Sequence, residues 1–117
     1  KQVDMATALT FGRQLGVFVH ASHAGNFDLA ASVMKDVIAE PYRKSLLPGF
    51  DEARAFSEET GALAFGISGS GPTVFAVCSS KAQAEKVAAY LTENYIQNED
   101  GFSHVCKIPS QGTLISE

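Results

Sequence analysis

The sequence changes period at residue 62. Before that point apolar side chains recur at three- and four-residue spacing, as in helices. Ala62 to Ile67 and Thr73 to Cys78 are instead short apolar runs rich in β-formers, and they flank Ser68-Gly69-Ser70-Gly71-Pro72. Two such runs around a glycine-rich turn read as a β-hairpin. Helices, then a hairpin, then a further helical pattern and a strand make the chain α+β, with a mainly antiparallel sheet packed against helices.

Residues from Asp4 to Ala21 form the first expected helix. Ala8, Phe11, Leu15, Phe18 and Ala21 share one face, and Met5, Leu9, Gly12, Gly16 and Val19 share a second. Two apolar faces are more than a surface helix needs, so this helix is expected to be covered on both sides. Gly12 and Gly16 each weaken a helix by about 1 kcal/mol relative to Ala. Their spacing would admit a close backbone neighbour, the alternative being a kink near Gly16. Gly25-Asn26 marks a turn, and a second helix is expected over Phe27–Ala39 with Leu29, Val33, Val37 and Ile38 as its buried stripe. Pro41 should stop it at Glu40, leaving Glu40 to Lys44 as a polar connection. A third helix is expected over Phe50–Thr60, closed by Gly61. Ser80 and Gln83 form a capping box opening a helix to Tyr95. Phe102–Ile108 alternates as a strand, and Thr113–Ile115 reads as a short closing one.

This order is most of a ferredoxin-like split βαββαβ plan with the first strand missing. That strand is central, so its absence leaves a slot to be filled by Thr113–Ile115 or by a strand from another chain.

With 117 residues, the chain is about one domain long. It is 45% hydrophobic and 19% charged with a formal net charge of −4, which suits a globular protein and disfavours nucleic-acid or anionic-membrane partners. No apolar run is long enough to span a bilayer. Cys78 and Cys106 form no CxxC pair, so neither a disulfide scaffold nor a zinc site is indicated, and both read as small buried apolar residues. The start, Lys1-Gln2-Val3-Asp4, is unlike a signal peptide, and the expected location is cytoplasmic. Opening on Lys rather than Met with a helix already under way is the expectation for a piece of a longer polypeptide.

Chemistry concentrates in Gly66-Ile67-Ser68-Gly69-Ser70-Gly71-Pro72-Thr73, whose backbone N–H groups can approach an anion without Cβ interference. Gly66 and Gly71 have P-loop spacing, but Pro72-Thr73 follows where Lys-Ser/Thr is required. A dinucleotide fingerprint should open a helix, whereas this loop runs into Val74-Phe75-Ala76-Val77. A tight turn with no ligand is the plain alternative. Arg43 is the second candidate, since guanidinium clamps a carboxylate or phosphate with two parallel bonds; an exposed surface arginine is its plain alternative, and Lys44 should face solvent. His20 and His23 sit where a helix C-terminus favours positive charge, a simpler account than a shared metal. His104 reads as a core or interface histidine, and Asp51, Glu52, Glu58 and Glu59 as a solvated helix face. No Ser/His/Asp arrangement follows from spacing.

The segment Gly66 to Ala76 resembles the third conserved motif of the GHMP kinases (galactokinase, homoserine, mevalonate and phosphomevalonate kinases). Asp36-Val37-Ile38-Ala39-Glu40-Pro41-Tyr42-Arg43-Lys44-Ser45-Leu46-Leu47-Pro48-Gly49-Phe50 narrows the resemblance to the homoserine kinases. It extends over nearly the whole chain and implies that residues 1–117 are a GHMP kinase C-terminal domain. The implied activity is ATP- and Mg²⁺-dependent phosphorylation of the L-homoserine hydroxyl, giving O-phospho-L-homoserine for threonine biosynthesis. By the same resemblance Arg43 holds the substrate's amino-acid end, and Gly69, Ser70 and Gly71 border the active site. The family's Pro-x-x-x-Gly-Leu-Gly-Ser-Ser loop, which wraps the ATP phosphates, is absent from these residues. No catalytic or metal-holding residue is therefore expected in this chain, which should be inactive without its N-terminal domain. Other readings are another GHMP kinase, a ferredoxin-like amino-acid-binding regulatory module, or an assembly domain whose two-faced first helix makes a homodimer.

Overall fold

The computed structural model describes residues 2–111 and 115. Among the described residues five α-helices and two strands follow in order: α1 (Met5–His23), α2 (Phe27–Ser32), α3 (Glu40–Arg43), α4 (Phe50–Glu59), β1 (Ala64–Ile67), β2 (Val74–Val77) and α5 (Lys81–Asn94), with a 3₁₀ turn over Lys44–Leu46. The architecture is α+β, an antiparallel two-stranded sheet packed against helices.

Local chemistry sets most boundaries. Asp4 caps α1 by accepting from the Thr7 N–H at 2.9 Å, and Asn26 caps α2 through the Leu29 N–H at 3.1 Å. Ser80 opens α5 by accepting from the Gln83 N–H at 3.3 Å, the half of the expected capping box that holds the helix end. In the sheet Phe65 pairs with Ala76 and Gly66 with Phe75. A Cβ on Gly66 would lie 3.1 Å from the Phe75 ring, so glycine lets that ring cross the strand.

The core lies between α4, α5 and one sheet face. Phe50 and Phe65 meet with ring centroids 5.4 Å apart and tilted by 56°, an edge-favouring geometry. Ala53, Leu47, Ile67, Val74, Ala76, Tyr90, Leu91 and Tyr95 complete the cluster. Phe56 stacks on Tyr90 at 3.9 Å, tying α4 to α5. Ser57 is fully buried and satisfied by donating to the Ala53 carbonyl at 2.7 Å.

Several expectations are corrected. The helix expected over Phe27–Ala39 ends at Ser32. Its second half is drawn off by Asp36, whose carboxylate accepts from the N–H groups of Ile38, Ala39 and Glu40 at 2.8, 2.8 and 3.0 Å. Such local side-chain bonds compete with helix propagation. Pro41 then starts α3 instead of ending a helix, because the first turn needs no N–H from it.

Neither face of α1 is covered along its length. Met5 is 79% exposed, and Leu9, Phe11, Leu15 and Val19 are also exposed; among the described residues the short α2 is the main element packed against this helix. Gly12 and Gly16 adjoin open space, and α1 runs unbroken through both. Phe102–Ile108 forms no ladder; Phe102 and Ile108 are 84% and 89% exposed. In the split plan the last strand pairs with the first, and among the described residues no strand precedes α1. His104 and Cys106 are accordingly exposed, not buried, while Cys78 is half-buried. The closing strand expected at Thr113–Ile115 falls largely outside the described residues.

The chain is open for its size. Its surface is 8726 Å², where a compact protein of this mass exposes about 6,100 Å². Its radius of gyration is 15.4 Å, against about 13 Å for a compact chain of this length.

Truncation at the ring contact should expose how much it holds. Phe50→Ala is expected to lower the unfolding free energy by about 3–5 kcal/mol, read as a lower urea midpoint at unchanged slope.

Candidate functional site

The β1–β2 hairpin delivers the glycine loop, Ser68–Thr73, to the surface. The Ser68 N–H donates to the Thr73 carbonyl at 2.8 Å, and the Gly71 N–H to the Ser68 carbonyl at 3.1 Å. Gly69 and Gly71 adopt φ of +59° and +74°, a left-handed conformation that a side chain would strain. The Gly71–Pro72 peptide is cis. A Cβ on Gly71 would be 3.4 Å from Ile67 and 3.6 Å from Leu47, so the turn rests on the core.

Arg43, at the end of α3, donates from Nη2 to the Ser70 carbonyl oxygen. The two strongest candidates in the sequence, separated by a helix and a strand, are therefore neighbours. Arg43 as a residue is half-buried while Gly69 and Ser70 are exposed. Among the described residues, the amide N–H groups of Gly69 and Ser70 donate to nothing, and the other guanidinium nitrogens of Arg43 are likewise unpaired. Two free amides beside an arginine fork suit an anionic oxygen pair such as a carboxylate or phosphate.

Tyr95 holds the loop from the other side, its hydroxyl donating to the Pro72 carbonyl at 2.9 Å. The sequence places Tyr95 at the end of the helix that Ser80 opens, and nothing in the pattern assigns its hydroxyl to the loop. Arg54 was also missed. Its guanidinium meets the buried Glu40 carboxylate through two bonds of 2.7 and 2.5 Å and lies 4.9 Å over the Phe50 ring. The Glu40 hydrogen bond holds the Arg54 pKa above its ordinary value, against the opposing effect of desolvation. The available signal was Glu40 itself, a carboxylate directly after the apolar stretch Val37-Ile38-Ala39 that needs a partner if buried.

A cavity of about 280 Å³ adjoins the base of the loop, lined by Phe11, Gln14, Leu15, Ile67 and Phe75 among others. Gln14 Oε1 is buried without a hydrogen-bond partner among the described residues. Lys44 pairs with Asp51 at 3.0 Å on the surface, an exposed ion pair of little energetic weight. His20 and His23 occupy the last turn of α1. Among the described residues no group of three or more His, Cys, Asp or Glu side chains is placed to hold a metal ion, and no helix is long and apolar enough to cross a membrane.

Burial raises the Tyr95 phenol above its ordinary value, and Cys78 above its own. For Tyr95 the sign runs one way. Below pH about 10 the hydroxyl is neutral in both states and its bond contributes fully; above it the unfolded chain ionises first and stability falls. Tyr95→Phe should lower stability at neutral pH and shrink the alkaline loss, checked by urea midpoints at roughly pH 8 and pH 11.

The fold has known relatives. The model for the C-terminal region of the GHMP kinases matches residues 18–97. The crystal structure of homoserine kinase from Cytophaga hutchinsonii is similar at 33% sequence identity with a TM-score of 0.76, covering 81% of this chain. The match takes in 30% of that kinase, so this chain spans well under half its length. The hairpin, its glycine loop and the helices behind it lie within the matched region, and the chain belongs to the GHMP kinase family, to its C-terminal domain.

Proposed function

We propose that this chain is the C-terminal domain of a cytoplasmic homoserine kinase, which transfers the γ-phosphoryl group of ATP to the L-homoserine hydroxyl in threonine biosynthesis. The observation that carries the reading is the meeting of Arg43 with the glycine loop beside two amides unpaired among the described residues. The similarity to a homoserine kinase supports the choice of substrate within the family.

Phosphoryl transfer needs little covalent help from the protein; it needs the acceptor oxygen held in line and the charge neutralised. A small amino acid offers one strong handle for that purpose, its carboxylate. Arg43 would take that carboxylate in a fork and leave the side-chain hydroxyl directed away from the clamp. Gly69, Ser70 and Gly71 would form the adjoining wall, close to the ligand because two of them carry no side chain.

ATP and Mg²⁺ belong to the other wall. The described residues do not fit a Mg²⁺ site, since no group of three or more acidic or metal-ligating side chains converges among them. An N-terminal domain carrying the nucleotide loop would cover the exposed apolar faces of α1, where Met5, Leu9 and Leu15 meet solvent in this chain.

Two outcomes test the reading. In the full-length protein, Arg43→Ala should raise the homoserine KM about ten- to hundredfold, the loss of a charged hydrogen-bonded pair, with the ATP KM nearly unchanged. An unaltered homoserine KM would remove Arg43 from the site. The 117-residue chain by itself, assayed with ATP, Mg²⁺ and homoserine, should show no turnover; rates like those of an intact kinase would contradict the two-wall arrangement.

A further inference from the structure

We infer that the buried Glu40–Arg54 ion pair is a positioning device that sets Arg43 against the glycine loop. The inference rests on the proposed role of Arg43 in holding the substrate's carboxylate.

The starting point is the weakness of α3. Four residues make a single turn, and a helix that short has no stability of its own. Its orientation, and hence the direction in which Arg43 leaves it, must come from outside. Asp36 fixes the chain entering the turn through three backbone bonds. Glu40, the first residue of α3, is only 8% exposed and engages Arg54 in a two-bond fork. Such a fork fixes orientation as well as distance.

Arg54 is in turn immobilised by the framework. It stands on α4 with its guanidinium over the Phe50 ring, 5.9 Å from the Phe65 ring centroid, and it donates to the Phe65 carbonyl at 3.3 Å. Phe65 lies on β1, the strand that leads into the glycine loop. One guanidinium therefore bonds to both supports of the site, the helix that presents Arg43 and the strand that presents Ser70.

Stability alone gives a weak reason for this construction. Burying two charges costs heavily, and an apolar pair of similar volume often does as well or better. An apolar pair would fill the space without fixing the rotation of a one-turn helix. Direction is what the ion pair adds.

The test is a kinetic cycle in the full-length protein. Glu40→Gln keeps shape and removes the charge; it should raise the homoserine KM about ten- to hundredfold, as a displacement near 1 Å of a binding group can, with the ATP KM unchanged. Because Glu40 acts through Arg43, Glu40→Gln added to Arg43→Ala should change the homoserine KM less than about twofold further. Arg54→Lys, which keeps the charge and loses the fork, should reproduce the single-variant effect and serves if Glu40→Gln does not fold. Wild-type homoserine KM in the folded variants, or effects that multiply in the double variant, would overturn the inference. Failure of Arg43→Ala to alter that KM would instead overturn the substrate reading beneath it.

Discussion

The tilted contact between Phe50 and Phe65 is the joint on which the molecule turns. Phe50 begins α4 and Phe65 lies in β1, so the contact fastens the helical half of the chain to the hairpin. With so little sheet, two strands of four residues each, the hairpin would be marginal if it stood alone. It is held because Phe65, Val74 and Ala76 face α4 and α5 as one apolar surface. Arg54 closes the joint from above, adding cation–π contact to rings that are already packed.

The rest of the chain is far less enclosed. Among the described residues, most of the exposed large apolar side chains lie on α1, α2 and the segment after α5; Phe27 is 70% exposed. Scattered exposed apolar residues need no explanation, but an aligned set along a helix nineteen residues long does. A domain that shares its site with a second domain has to leave apolar surface at the junction, and this is the arrangement the proposed kinase requires.

What could be read from the sequence follows the range of the forces involved. The hairpin, the Ser80 cap and the helix ending before Gly61 were legible because each is decided within a few residues. The closeness of Arg43 and the loop was not decided by spacing at all; it followed from the family motifs. Pro41 misled because the same ring that blocks a preceding helical residue suits the start of a new helix. Asp36 shows the matching failure: apolar periodicity through Val33, Val37 and Ile38 favoured one long helix, and a carboxylate bonding to three nearby amides outweighed it. Phe102–Ile108 has strand alternation, but alternation records the face a strand would bury and supplies no partner for its backbone.

The two carbonyl contacts on the glycine loop explain why its free amides matter. Arg43 takes the Ser70 carbonyl and Tyr95 takes the Pro72 carbonyl. Between them the Gly71 N–H is used internally on Ser68. A peptide plane whose carbonyl is held cannot rotate freely, so restraining these carbonyls restricts the turn as a whole. The amides of Gly69 and Ser70 then remain as donors on a restrained, exposed backbone. Donors ordered before a ligand arrives lose less freedom on binding it, which is how a short glycine turn can act as a recognition surface.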